Sequence, residues 1–260
     1  MDTLTQDKYY HIYRNRQSWL YHLAYMRLSK VFVLLYALEQ RGLSLAGKSV
    51  FDYGFGAGTF LRYCPKQSCL FGVELDRVNV EAVKNSLDKK GYTRVDLRAI
   101  DEKQWRTHVL LTRRYDLVVA SHVLEHVKEP EELLSRLMTC LTPDGYLLGA
   151  LPINETVPDE SHEWVIERGL VEQWARAAHA KIVGYWELDH FTYYALRVFQ
   201  GKSALGRLLA QGASLCLGIS AVLLGRRHWL KLSTALGKVT RAKPAQAVFL
   251  MRPSQASGPR

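Results

Sequence analysis

Phe51-Asp52-Tyr53-Gly54-Phe55-Gly56-Ala57-Gly58 decides how this chain is read. The run before it, KSVFDY over residues 48–53, has the apolar, β-branched character of a strand, and the glycines end it abruptly. Glycine lets the main chain turn tightly and brings backbone N–H groups, and the start of a following helix, against a ligand. Twenty residues beyond Gly54, Glu74 closes the next apolar run, LFGVEL. An acid at that strand end can accept both hydroxyls of a ribose. Turn and acid together predict a nucleoside site.

The same rhythm continues outward. VDLRAI (95–100), YDLVVA (115–120) and GYLLGALP (145–152) read as strands, with helix-like DRVNVEAVKNSLDKKG and EPEELLSRLMTCL between them. Strands separated by helices of this length predict βαβ crossovers and a mainly parallel sheet. Trp19 to Gln40 reads as one helix, free of Gly and Pro until Gly42. Beyond Pro152, IERGLVEQWARAAHA is a further helix, KIVGYWEL a further strand, and AQAVFLM (245–251) the last strand.

The turn discriminates between nucleotides. A nicotinamide dinucleotide fingerprint needs a third glycine where Thr59 stands; here the glycines run G-x-G-x-G. Asp52 also aims an anion into the turn, where a pyrophosphate would be repelled. A cofactor with a cationic centre and no phosphate fits better, and S-adenosylmethionine has both properties.

The chain resembles the class I S-adenosylmethionine-dependent methyltransferases, in the group acting on small-molecule and lipid acceptors. FDYGFGAG is similar to their first motif, FGVELD to the second-strand motif, and AIDEKQW to the segment after strand three. YDLVVASHVLEHV resembles the fourth-strand motif with its Leu-Glu-His-Val ending, and LTPDGYLLGALP the fifth, with Pro143-Asp144 where Pro-Gly is commoner. The resemblance spans roughly residues 45 to 190. It implies a Rossmann-like α/β fold: seven strands, mostly parallel, helices on both faces and an antiparallel last strand. It implies S-adenosyl-L-methionine as cofactor, held by Asp52, Tyr53, Gly54, Gly56, Gly58, Glu74, Leu75, Asp101 and Ser121, with Asp101 at the adenine amino group.

Methyl transfer is an in-line displacement at an already activated carbon, so the protein mainly aligns the acceptor and removes water. A base is needed only where the acceptor must lose a proton. His122 and His126 follow strand four, and His162 and His190 follow strand five. His122 and His126 are the candidate catalytic residues. His122 is the better placed, because the resemblance puts the loop after strand four at the reacting methyl; it acts as base or lines the pocket. His126 is alternatively a packing histidine. Tyr9, Tyr10, Tyr13 and Trp19 form a candidate lid or pack as helix.

Composition narrows the class further. At 260 residues and 48% hydrophobic, the chain can bury a full core. Cys64, Cys69, Cys140 and Cys216 have no CxxC spacing, so neither a zinc ribbon, a redox motif nor any other metal site is expected. The N-terminus has no apolar segment of signal-peptide type, and a cytoplasmic protein is expected. The net charge is +10, yet no Asp or Glu follows Asp189, while 11 basic residues do. A neutral body with a basic end points to an anionic surface, lipid or nucleic acid. No Asn/Asp-Pro-Pro-Phe/Tyr run and no nucleic-acid-binding motif appears, which disfavours nucleic acid while leaving an RNA methylase open on charge.

Leu208 to Gly225 is 18 residues without a charge, the lower bound for a spanning helix. A single crossing would strand AQAVFLM away from its sheet. A segment lying in the interface, or a hairpin dipping into it, keeps that strand; a buried helix or dimer contact is the alternative. The expected organisation is a helical cap over 1–44, a methyltransferase core over 45–196, an apolar basic insertion over 197–244, and the last strand and tail over 245–260. The reading is an enzyme methylating oxygen or nitrogen of a small or lipid-linked acceptor, peripheral on the cytoplasmic membrane face. A nicotinamide-dependent oxidoreductase and a non-catalytic scaffold are the competing readings.

Overall fold

In a computed structural model of the chain, which describes residues 19–101, 105–155, 161–191 and 204–254, the alternating runs become one seven-stranded sheet. The strands are β1 (Ser49–Tyr53), β2 (Cys69–Glu74), β3 (Val95–Ala99), β4 (Tyr115–Ser121), β5 (Leu141–Pro152), β6 (Ala180–Leu188) and β7 (Gln246–Pro253). Their spatial order is β3-β2-β1-β4-β5-β7-β6. The first five run parallel to one another, while β7 runs antiparallel to both β5 and β6. AQAVFLM is thus the reversed strand that the resemblance implied.

β1 and β4 lie at the centre, and Val50, Phe51, Val118, Val119 and Ala120 lose all solvent contact. Strands buried on both faces need apolar side chains on both, which explains their unbroken hydrophobic runs. One face is covered by α2 (Tyr25–Gln40) and α3 (Arg77–Lys89), packed through Leu28, Phe32, Val83 and Leu87. The other carries α4 (Pro130–Thr139) and α5 (Arg168–Ala177), through Leu133, Leu137 and Trp174. Asp76 caps α3 by accepting from the N–H groups of Val78 and Asn79. Pro130 opens α4 with Glu131 and Glu132 in its first turn. The chain winds from β1 outward to β3, then returns to β4 on the other side of β1. Strand order reverses there, so the crevice at the carboxyl ends of β1 and β4 is where a ligand is expected.

The predicted helix over Trp19 to Gln40 is two: α1 (Trp19–Leu23) and α2, separated by Ala24 in an extended conformation (ψ 127°). No breaker residue lies at that point. Gly218, far along the chain, packs against the Leu23 carbonyl at this break so closely that any side-chain atom would overlap it.

The glycine turn also differs from expectation. Instead of a full α-helix it leads into a single 3-10 turn, Leu61–Tyr63, ended at Cys64 (ψ 146°) by Pro65. Proline disfavours helical geometry in the residue before it. A helix dipole therefore contributes little here. The Leu-Glu-His segment is likewise a 3-10 turn, Leu124–His126, rather than the start of an α-helix.

The apolar basic insertion forms α6 (Ala204–Leu224) and α7 (Arg226–Thr240), joined at Gly225 (φ 74°). The two helices form a hairpin that packs on α2 and delivers the chain to β7. Trp229 and Leu230 of α7 are buried against the core. Leu223 and Val239 are 81% and 80% exposed, unusual for side chains of that kind. No helix among the described residues is long and apolar enough to cross a membrane. Tyr9, Tyr10 and Tyr13 lie outside the described residues.

Candidate active site

All three glycines of the turn adopt positive φ: Gly54 at 70°, Gly56 at 52° and Gly58 at 69°. At Gly58 a Cβ would stand 2.5 Å from Val83 Cγ1, and at Gly54 2.7 Å from Val123 Cγ2. Backbone handedness and crowding together exclude a side chain at these two positions. The Gly54 contact also sets the segment after β4 directly against the turn.

The strand-end acid reaches the turn itself. Glu74 Oε2 accepts from Gly56 N–H at 2.7 Å, and Oε1 from Leu75 N–H at 2.9 Å. Asn79 Nδ2 donates to the Gly56 carbonyl from α3. Asp52, on β1, is buried. Loss of solvation lifts the carboxyl of Asp52 well above its ordinary range, and the neighbouring charge of Glu74 lifts it further. Glu74 is lifted by burial too, partly offset by its hydrogen bonds from the Gly56, Leu75 and Asp76 backbone. Two carboxyls raised in one dry crevice make a site that gains from a cation and rejects a phosphate. Tyr53 and Ser121 sit half-buried at the ends of β1 and β4, while Leu75 and Asp101 are exposed after β2 and β3.

His22 of α1 was missed from the sequence. Its Nδ1 lies 3.0 Å from Thr59 Oγ1, latching the N-terminal helix onto the glycine turn. Burial, with the charges of Arg62, Lys90 and Arg27, lowers its pKa to about 4. It is a neutral imidazole at physiological pH. A His at a helix end offers no local signal for a partner 37 positions away.

His122 has φ 56°, and its N–H donates to the Ala150 carbonyl of β5 at 2.8 Å. Its Nδ1 lies 3.2 Å from Glu125 Oε1 and its Nε2 3.2 Å from Gln246 Oε1. Gln246 Nε2 in turn donates to Asp189 Oδ2 at 2.8 Å, and the Tyr25 hydroxyl donates to Asp189 Oδ1 at 2.6 Å. Trp229 Nε1 donates to the Tyr25 oxygen at 3.1 Å. A buried polar chain thus joins the end of β4 to β7, β6, α2 and α7. Burial, aided by the charge of Lys30, lowers the pKa of His122 against the opposing pull of Glu125 and Gln246.

His126 lies exposed beside His162, with ring centroids 4.8 Å apart. His190 is elsewhere, its backbone N–H bonded to Ser233 Oγ of α7 and its ring against Gly237. The structure therefore gathers Asp52, the glycines and Glu74 at one turn, with His122 and His126 on the adjoining segment, and leaves His190 outside.

Sheet order, the glycine turn and the strand-end acid define the class of S-adenosylmethionine-dependent methyltransferases. Residues 27–210 match the model of the family described as "Methyltransferase domain", and the chain belongs to that family. It is 24% identical over 123 residues to the ubiquinone biosynthesis O-methyltransferase of Actinobacillus pleuropneumoniae serotype 7, covering 46% of this chain and 52% of that protein. It is 21% identical over 174 residues to the protein of the same name from Coxiella burnetii, covering 58% and 70%. The chain thus spans about half the length of the first of these relatives. Among solved structures, coclaurine N-methyltransferase bound to N-methylheliamine and SAH matches with a TM-score of 0.56 at 13% identity, covering 87% of this chain and 71% of that one. At that identity the likeness is one of fold.

Proposed function

We propose that the protein transfers a methyl group from S-adenosylmethionine to an oxygen or nitrogen of a small or lipid-linked acceptor, at an anionic membrane surface. The observation that carries the cofactor reading is the pair Asp52 and Glu74, two desolvated acids meeting over a turn of three glycines. S-adenosylmethionine supplies a methyl group already activated by its sulfonium. Asp52 faces the cationic part of that molecule, Glu74 the ribose hydroxyls, and the turn, with Tyr53 and Leu75, the remaining main-chain contacts. Ser121 borders the reacting side and Asp101 the adenine. The names of the curated relatives favour a hydroxyl as acceptor.

Of the two roles open to His122, the positional one is favoured, because both ring nitrogens already face protein atoms. His126 keeps an exposed ring on the segment that follows β4. The α6–α7 hairpin, with exposed Leu223 and Val239 and basic Arg226, Arg227, Lys231 and Lys238, is the surface for the membrane and for a lipid-linked acceptor. The division into cap (1–44), core (45–196), insertion (197–244) and final strand (245–260) belongs to the same proposal.

The deciding experiment is a labelled-methyl assay on cell extract with aqueous, RNA and organic fractions counted separately, alongside calorimetry with S-adenosylmethionine. Label in the organic fraction and saturable heat are expected. Absence of heat sinks the cofactor site, and label confined to RNA sinks the acceptor class.

A further inference from the structure

The middle glycine of the turn differs from the two beside it. Val123 and Val83 stand where side chains of Gly54 and Gly58 would begin. At Gly56, among the described residues, no atom beyond its chain neighbours lies within 4 Å of that place. Gly56 is half-buried with φ 52°, so its open side is the part of the turn that a ligand can meet. A glycine facing open space lacks the side chain that restricts other residues, and only its hydrogen bonds fix it. Both peptide groups that flank its Cα are held. The Gly56 N–H donates to Glu74 Oε2 at 2.7 Å, and the Gly56 carbonyl accepts from Asn79 Nδ2.

Asn79 serves this contact and little else. It sits in the first turn of α3, 4% exposed, and its own N–H donates to Asp76 Oδ1 at 3.3 Å. The Gly56 carbonyl can only accept, so the amide must turn its NH2 toward the glycine. Its Oδ1 is then left buried, with no hydrogen-bond partner among the described residues. A buried acceptor without a partner is costly, and an apolar side chain at this place would avoid the cost. The packing of α3, which rests on Val80, Val83 and Leu87, does not call for an amide here. What its NH2 holds does.

We propose that Asn79 is a positioning residue of the cofactor site. By holding the Gly56 carbonyl it removes that residue's remaining freedom, and so steadies the N–H that aims the Glu74 carboxylate at the ribose hydroxyls. Each carboxylate oxygen carries two lone pairs. Oε2 uses one for Gly56 and Oε1 one for the Leu75 N–H at 2.9 Å, which leaves one on each for a hydroxyl. A carboxylate whose direction is already set loses less freedom when the ribose arrives. Burial raises the Glu74 carboxyl, and the Gly56 N–H is foremost among the backbone bonds that oppose the rise. The same bond therefore keeps the group charged and aimed. Asn79 acts through Glu74, so its role rests on the reading of Glu74 as the ribose acceptor.

The test is calorimetry of the full chain with S-adenosylhomocysteine and with its 2′,3′-dideoxy analogue, in the wild type, Asn79→Asp and Asn79→Ala. The wild type should bind the ribose form more tightly by about tenfold or more. Asn79→Asp keeps the shape and sets an oxygen against the Gly56 carbonyl. Asn79→Ala removes the donor and favours the helix, so it carries the test if the aspartate variant misfolds. In both, affinity for S-adenosylhomocysteine should fall about tenfold, while affinity for the dideoxy analogue changes by less than about threefold. The preference for the hydroxyls then nearly vanishes. A wild type that binds both ligands alike would overturn the reading of Glu74. A wild-type preference kept in full by both variants, or an equal loss of affinity for both ligands, would overturn the role of Asn79 and leave Glu74 standing.

Discussion

Glu74 Oε2 accepts from the Gly56 N–H at 2.7 Å, so the acid that closes β2 and the turn that closes β1 are one unit. Any cofactor that uses Glu74 meets a carboxylate already oriented by the backbone beneath it, and an Asp52 whose charge Glu74 disfavours. A cation entering this crevice relieves both acids at once.

Asp52→Asn should therefore do two opposite things. Removing a desolvated carboxyl beside another acid should stabilise the cofactor-free protein by about 1 kcal/mol. Loss of a charge-assisted contact should weaken S-adenosylmethionine binding by about 10- to 100-fold. Thermal unfolding and calorimetry measure the two; a variant less stable than wild type would contradict the strain assigned to Asp52.

The same acids set a pH dependence. Protons compete with a cationic ligand for carboxyls whose pKa is raised, so affinity should fall as pH drops through values above the ordinary carboxylate range. The thermal shift produced by S-adenosylmethionine should be larger at pH 7.5 than at pH 5. Equal shifts at both would mean that the acids do not face the ligand.

His22 predicts an acid-sensitive latch. Its folded pKa of about 4 lies below the usual 6.5, so its contribution to stability is complete above pH 6.5 and is lost as pH falls toward 4. His22→Asn, which keeps a polar group near Thr59 without the titration, should flatten that part of the stability profile. Denaturant unfolding from pH 7 to pH 4 provides the comparison, and parallel profiles for both proteins would refute the latch.

Gly58→Ala joins a left-handed backbone to a clash with Val83, and should cost roughly 2–4 kcal/mol. Val83→Ala added to it should recover the steric part and leave the conformational part. A double-mutant cycle should therefore show coupling of about 1 kcal/mol or more; strict additivity would mean that Val83 is not what excludes the side chain.

For the α6–α7 hairpin, Leu223→Glu with Val239→Glu should lower the fraction that floats with anionic liposomes, without changing S-adenosylmethionine affinity. Salt should lower it as well, since each Lys or Arg near the surface contributes about 1 kcal/mol. Wild-type protein that stays with the soluble fraction in low salt ends the membrane reading.

Much of this architecture was legible because its signals are local. The glycine turn, Glu74 and the apolar runs declare themselves within short windows, and the order of motifs gave the sheet with AQAVFLM as its reversed strand. The helix expected after the glycines is only a brief 3-10 turn, and the signal for that, Pro65, was passed over. The rest depends on contacts between distant residues of ordinary type. Gln246, Asp189 and Tyr25 carry no motif, yet they tie β4 to four other elements. The break at Ala24 has no breaker residue in its neighbourhood, and the glycine that packs against it, Gly218, belongs to another helix. Glu155 and His162 pair, and neither is marked by spacing.

The contact of Gly218 with the Leu23 carbonyl joins the outermost helical arm to the residue next to His22, whose ring rests on Thr59. One peptide group and one imidazole are therefore all that separates that arm from the rim of the glycine turn, so a displacement of the arm reaches Thr59 without passing through the sheet.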